Sequence, residues 1–429
     1  LFNNHWLTGI YLGPDTILSH PNYVTRLRDE IGLNTVVISF TGEMSKDVLA
    51  LSPFKGRVPT DDELAGLVLR HFDGRPVDPI EYDRARELCG PGAPLRGDDA
   101  TFRKAVEQLK SEGLNVWMCA GAWTIRQLMF CPSRPDVQDW MEAACVHWAS
   151  QYGVDALDIT HFRYPMGSFP LGLWGCTCAS CHTAASNLSY DMDEMVADLI
   201  HAREQLRKLD GKRLGEVARL GLGFFDVVHA LDLRRGVLDW FRFRCDLVFR
   251  NLTRFRLAVH AAAPGTAFGT DTYPASMALM AGHDYLRWDQ MSDYASPLVS
   301  HISAFVCNTF IEWARFLQEE VSNLTEEDAL RLVYQFTGYD GMDLPENIDA
   351  YKAEEAATLG YRIPTADLVL RDLYKAKLFL PESVPCYPIL HGEGWGRETI
   401  DGIVTETKEM GHNGVVWQGT GELMDYDFG

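Results

Sequence analysis

The 429-residue chain is short of basic charge: 39 Lys and Arg stand against 60 Asp and Glu, a formal net charge of −21. A surface of that sign repels phosphate backbones and anionic lipid, which argues against nucleic-acid and membrane partners and favours a neutral or cationic ligand. The chain also lacks an apolar run of about 18 residues, so no segment reads as a membrane span. Its first residues lack the basic-then-apolar pattern of a secretory signal, so a cytoplasmic protein is expected, with a trimmed exported form left open. There is no repeat of fixed period and no low-complexity tract, and nothing speaks for or against a homo-oligomer.

What is present is the composition of a soluble protein with a sizeable core, 46% apolar and 23% charged. Most of the ten cysteines are scattered, several in apolar segments such as 115–120 and 302–307, where a thiol behaves as a small buried hydrophobe. That usage suits a reducing compartment.

Short β-type runs alternate with longer segments of helical period, the pattern of βα units around a parallel sheet. Eight strands can be counted: 7–13, 34–41, 114–121, 154–160, 266–272, 294–300, 387–390 and 414–418. Helices are expected at 23–31, 100–112, 135–152, 192–209 and across 213–262. Within the last, the aromatic and basic run 240–244 reads as a face that buries rings and turns Arg to solvent. The fold class expected is α/β, a (β/α)₈ TIM barrel in one catalytic domain over 1–429, with insertions at about 44–98, 166–190 and 302–380.

In such a barrel, the carboxyl ends of the strands converge on one mouth, so polar groups there are the first candidates for chemistry. Strand two ends in Glu43. Strand four carries Asp158, Thr160, His161 and Arg163, and period-two alternation puts Asp158 and Thr160 on the inward face, opposite Leu157 and Ile159. Strand five ends in Asp271 and Tyr273, strand seven in His391 and Glu393, and strand eight in Trp417 and Gln418. Glycoside hydrolysis needs two carboxyl groups flanking the scissile bond, and Asp158, Asp271 and Glu393 are three candidates. Trp123, Tyr164, Phe169, Trp174, Tyr273, Trp395 and Trp417 fall in or beside the same loops, and aromatic rings suit the flat C–H faces of sugars.

The loop after strand four holds Cys176, Cys178 and Cys181, a C-x-C-x-x-C spacing at which three thiolates can reach one tetrahedral zinc ion. Cys131 could approach as a fourth ligand if the loops after strands three and four are neighbours; the adjacent His182 is awkwardly placed. A disulfide or free thiols remain the alternative. Residues 178–182 also match the C-x-x-C-H haem attachment pattern, which would require an exported chain.

The string Val154-Asp155-Ala156-Leu157-Asp158-Ile159-Thr160-His161-Phe162-Arg163-Tyr164-Pro165 resembles the fourth-strand motif V-D-G-I-x-L-D-Y-I-R-Y-P of glycoside hydrolase-like TIM barrels related to the α-amylase superfamily. There a cysteine-containing loop commonly follows. Phe268 to Pro274, Gly282-His283-Asp284-Tyr285 and Ser292-Asp293-Tyr294-Ala295-Ser296-Pro297 are similar to further blocks in the same order. The aspartate that the motif carries three residues before its Arg aligns with Thr160 here, so Asp158 would have to substitute from one inward step deeper.

The resulting expectation is a glycosidase acting on an oligosaccharide or glycoside. Asp158 serves as nucleophile or charge stabiliser and Asp271 or Glu393 as general acid, while Arg163 and His161 orient the sugar and Asp158. Glu43, Trp123, Thr160, Tyr164, Tyr273, His301, His391, Trp395, Trp417 and Gln418 complete the binding set. No cofactor is expected to take part in catalysis, and any zinc held by the Cys loop would be structural. Two rival readings are a catalytically silent sugar-binding barrel, suggested by Thr160, and a metal-assisted hydrolase using the Cys loop or His161, His301 and His391.

Overall fold

Alternating apolar residues build eight short strands, all but the last followed by helical segments that cover their outer face. The computed structural model describes residues 5–39, 44–70, 72, 82–83, 99–121, 124–125, 128–164, 175–352, 358 and 362–428. Its barrel strands are β1 (Leu7–Leu12), β2 (Thr35–Ser39), β3 (Asn115–Gly121), β4 (Ala156–Thr160), β5 (Ala267–Thr272), β6 (Ala295–Pro297), β7 (Ile389–His391) and β8 (Gly414–Gln418). All pairings are parallel, in the order β6-β5-β4-β3-β2-β1-β8-β7.

The ring closes between β6 and β7. Parallel bridges join Ala295 to Cys386 and Leu298 to Ile389. Tyr387 N–H donates to the Ala295 carbonyl at 2.8 Å and Ser300 N–H to that of Ile389 at 2.7 Å. These two strands are shorter than the sequence suggests because Pro297, Pro385 and Pro388 have no N–H to give a ladder. The TIM-barrel expectation is met, with all eight strands in the expected places.

Period two divides each strand between two cores. Inside the ring, Leu7, Val37, Trp117, Ala156, Ala267, Tyr294, Leu298, Tyr387, Ile389 and Val416 pack together as the barrel floor. The opposite faces, including Ile10, Val36, Met118, Leu157, Phe268 and Val415, join the larger core beneath the helices. Gly269 is required at its position: a Cβ there would lie 2.3 Å from Tyr294 Cζ, so only glycine lets that ring cross β5 into the barrel.

The outer shell includes Pro21–Ile31, closed by left-handed Gly32 (φ 71°), Asp99–Ser111, Pro135–Gln151, Met192–Leu206 and the 28-residue helix Arg235–Ala262. The stretch from 213 is not continuous helix. Gly221 (φ 97°) and Asp232 (φ 42°) break it into Gly211–Leu220, Phe224–Ala230 and the long helix. In that helix Arg242 faces solvent as expected, but Arg244 is fully buried, its guanidinium 4.0 Å from the Tyr164 ring centroid. Between residues 303 and 379 the described residues include a helical pair, Asn308–Glu320 and Glu326–Thr337, that pack on each other, the second also against Gly211–Leu220. Among the described residues no helix is long and apolar enough to cross a membrane.

Candidate active site

Asp158 stands one residue pair above the barrel floor. Its β4 position pairs with Cys119 of β3 and Gly269 of β5, and its side chain is 1% exposed. Tyr11 of β1 donates its hydroxyl to Asp158 Oδ2 at 2.7 Å, and Tyr294 donates to the Leu157 carbonyl at 2.9 Å and, more weakly, to Asp158 Oδ1 at 3.4 Å. Tyr11 and Cys119 are half-buried, so this layer forms the base of the opening. Burial, with the negative charge of Asp271 added, outweighs both tyrosine hydrogen bonds and raises the Asp158 carboxyl to about 7.

Asp271 lies one layer higher on β5 and is saturated with donors. Thr160 Oγ1 donates to its Oδ2 at 2.7 Å, the backbone N–H of His161 to its Oδ1 at 3.1 Å, and Arg163 Nη1 sits 3.9 Å from Oδ1. Burial alone would raise this carboxyl. Arg163, His161 and the Thr160 hydroxyl overcome that and hold it below its ordinary value. The same turn places His161 in the left-handed region (φ 63°) with its side chain exposed and Nδ1 2.7 Å from Thr160 Oγ1.

Arg163 is buried between rings, its guanidinium 5.4 Å from the Tyr273 centroid and 5.2 Å from that of Phe305. Beneath it, the backbone N–H of Tyr273 donates to His283 Nδ1 at 2.9 Å, so His283 Nε2 carries the proton it gives to the Phe162 carbonyl at 2.9 Å. Burial depresses His283 to about 4, which keeps this bracket between β4 and β5 neutral.

The other wall comes from β6, β7 and β8. Ser300 Oγ donates to Gln418 Oε1 at 2.7 Å and lies 2.8 Å from His301 Nδ1. The His301 ring is 5.4 Å from that of His391, which meets Trp395 edge-on at 5.7 Å. Burial and the neighbouring His391 lower the His301 pKa. His301, His391, Trp395 and Gln418 are all half-buried, as binding groups at a rim must be.

Several expected residues stand elsewhere. Glu393 is exposed in the loop after β7, its carboxylate against the backbone of Gly419 and Gly421; among the described residues it makes no hydrogen bond to Asp158 or Asp271. Trp417 points away from the mouth. Its neighbours Val416 and Gln418 take the inward positions, so its ring packs in the core under the helices. Tyr164 is likewise buried, stacked on Arg244, and Tyr273 is buried beneath Arg163 rather than lining the opening. Glu43, Trp123, Phe169 and Trp174 lie outside the described residues.

Tyr11, Tyr294, Ser300 and His283 are members of the site that sequence reasoning passed over. Tyr11 was accessible to it, because alternation along β1 puts it on the same inward face as Leu7 and Gly9. Tyr294 was not, since its role depends on the gap left by Gly269 on another strand.

On the outer side of β4, Cys131, Cys176, Cys178 and Cys181 converge, with Sγ atoms within 4.8 Å of one another. Cys131 lies 3.6 Å from Cys178 and 3.4 Å from Cys181, and Cys178 is 3.7 Å from Cys181. None forms a disulfide, which needs sulfurs about 2.05 Å apart. His182 is half-exposed and turned toward Asp193 at 3.8 Å, leaving Cys131 as the fourth member.

No family model matches the chain. No curated protein matches it in sequence either. Among solved structures it is similar to the glycoside hydrolase domain of PgaB (BpsB) from Bordetella bronchiseptica, at 9% identity and a TM-score of 0.47, over 97% of this chain and 94% of that one. It is also similar to the spore cortex-lytic enzyme SleL of Bacillus cereus, at 8% identity and a TM-score of 0.43, covering 98% of this chain and 72% of the other. A β-galactosidase from the Antarctic haloarchaeon Halorubrum lacusprofundi matches at 12% identity and 0.47, over 96% of this chain and 52% of its own.

Proposed function

We propose that the barrel mouth hydrolyses a glycosidic bond of an oligosaccharide or glycoside by acid–base catalysis within a single catalytic domain. The observation that carries this reading is the split between two carboxyl groups in successive layers: burial raises Asp158 to about 7, while its donors keep Asp271 ionised. Titratable groups whose surroundings drive their proton affinities apart are the pattern by which a site assigns its acid and its anion, and sugar hydrolysis uses such a division.

Asp158 therefore holds the transferable proton, which reaches the half-buried base of the mouth when the Tyr11–Asp158 hydrogen bond reverses and the Tyr11 hydroxyl turns its own hydrogen to the substrate. Asp271 supplies negative charge and positions Thr160, His161 and Arg163. These roles reverse the division expected from sequence, where Asp158 was the anion. Trp395 offers a ring for a sugar face, while Gln418, His301 and His391 meet hydroxyl groups.

With a panel of aryl glycosides as substrates, Asp158→Asn and Asp271→Asn should each lower kcat by about a hundredfold or more on any glycoside the wild type cleaves. Full activity in both variants would refute the assignment. Calorimetric binding of sugars without turnover would replace it with a silent sugar-binding barrel.

The four cysteines are proposed to hold a structural zinc ion. Ligands at about 2.3 Å on a tetrahedron lie about 3.8 Å apart, close to the observed sulfur separations. When bound, the ion would cross-link the loops after β3 and β4 and take no part in the reaction. Elemental analysis should find one zinc per chain, lost in Cys131→Ser with a lower unfolding temperature. A metal-free wild-type protein of undiminished stability would overturn this.

A further inference from the structure

We infer that His161 is the general base of this mouth, and that the site therefore works by a single displacement by water that inverts the anomeric centre. This rests on the glycosidase reading and adds to it the identity of the base and the stereochemistry of the product.

The argument begins with one proton. The Thr160 hydroxyl has a single hydrogen and lies 2.7 Å from both Asp271 Oδ2 and His161 Nδ1. An ionised carboxylate can only accept, so the hydrogen points to Asp271 and the Thr160 lone pair faces Nδ1. Nδ1 must then carry the imidazole hydrogen, which leaves the lone pair on Nε2. The backbone N–H of His161 is bound to the other oxygen of the same carboxylate at 3.1 Å, so Asp271 fixes both the turn and the tautomer. The side chain is exposed at the mouth, where an attacking water could reach it.

His301 is a built-in comparison. Ser300 donates to Gln418 Oε1 and accepts from His301 Nδ1, so its tautomer is the same. That relay ends in a neutral amide, whereas the one behind His161 ends in an anion that stabilises an imidazolium. Of the charged groups facing His161, Asp271 from β5 favours protonation, while Arg163 and His301 oppose it. Surrounding protein and Arg163 lower its pKa, so it is unprotonated and able to act as a base at neutral pH.

Retention would need a carboxylate able to attack the sugar. Both Asp271 oxygens are engaged and the side chain is 4% exposed, and Asp158 is 1% exposed. Among the described residues of the β4–β5 wall the exposed basic group is the imidazole, and the exposed Glu393 carboxylate is turned to the backbone of Gly419 and Gly421 after β7. In the step, water oxygen bonds to the anomeric carbon as the bond to the leaving oxygen breaks, the electron pair staying on that oxygen. The water proton passes to His161 Nε2. The leaving oxygen takes the hydrogen of the Tyr11 hydroxyl while the Tyr11 oxygen accepts the proton of Asp158, their hydrogen bond reversing, and solvent then restores both groups.

Two measurements on the full chain test this. Nitrogen-15 NMR of the imidazole should show His161 as the Nδ1–H tautomer, with that preference lost in Thr160→Val. Proton NMR of the first product from any cleaved aryl glycoside should show inversion. In the kcat/KM profile, the wild type should gain activity with rising pH as His161 loses its proton. In His161→Gln that limb should vanish, with kcat down about a hundredfold to ten-thousandfold. An Nε2–H tautomer, a retained product, or an intact acidic limb in His161→Gln would each overturn the assignment of His161 while leaving the glycosidase reading in place. Absence of turnover on every glycoside would overturn both.

Discussion

Asp158 and Asp271 sit on adjacent strands, and one step of barrel depth separates a carboxyl surrounded by tyrosines from one surrounded by a threonine, a backbone amide and an arginine. The consequence can be read in stability. Asp158 rises from an ordinary 3.8 to about 7 on folding, so between those values the unfolded chain releases a proton that the folded chain keeps. The stabilisation from that proton is complete below about pH 4 and is lost as pH rises through about 7, an effect of at most a few kcal/mol. Urea unfolding at pH 5 and pH 8 should therefore show a smaller loss on going to pH 8 in Asp158→Asn than in the wild type; equal losses would contradict the assigned proton. Gly269→Ala forces a Cβ into the Tyr294 ring and should cost about 1–3 kcal/mol. Gly265→Ala, with nothing within 4 Å, should change stability by less than about 0.5 kcal/mol. At this scale the sequence was legible where a rule of alternation applied, as for Asp158 and Thr160 on one face. Trp417 was misplaced because its position next to Gln418 was read without the parity that turns one of them outward.

At the scale of elements, the turn after β4 is held by β5 as well as by its own Arg163 N–H, which donates to the His161 carbonyl at 2.8 Å. Thr160 and the His161 amide both end on Asp271, and Thr270 Oγ1 donates to the Ile159 carbonyl. Replacing Thr160 by Val removes a donor to a buried carboxylate and should cost about 1–3 kcal/mol, measured by chemical unfolding, while Thr160→Ser should recover most of it. Equal stability in the two variants would show that the turn does not depend on this hydroxyl. All eight strands could be located from β-type runs between helical segments; their ends drifted by a residue or two at several strands, β4 among them, and most at the end of β6, where proline truncates the ladder. The break in the helical stretch after 213 was harder to see, since it depends on positive φ at Gly221 and Asp232. The gathering of Cys131 with the other three thiols needed the loops after β3 and β4 to be neighbours, which follows once β3 and β4 pair.

For the whole molecule, ring closure is what turns a list of strand-end residues into one site. Bridges from β6 to β7 bring Ser300 and His301 beside His391 and Gln418, opposite the β4–β5 wall that holds Asp158, Asp271 and His161. The barrel and the wall on β4 and β5 were legible in the strand pattern; the division of proton affinity between the two carboxyl groups depended on three-dimensional burial and on donors from other strands. That division is the claim on which the proposed chemistry depends. It is tested most directly by carbon-13 NMR titration of the aspartate carboxyl groups, assigned with Asp158→Asn and Asp271→Asn. The account predicts Asp158 titrating near 7 and Asp271 below the ordinary 3.8. Both groups titrating together at the ordinary value, or in the reverse order, would contradict it.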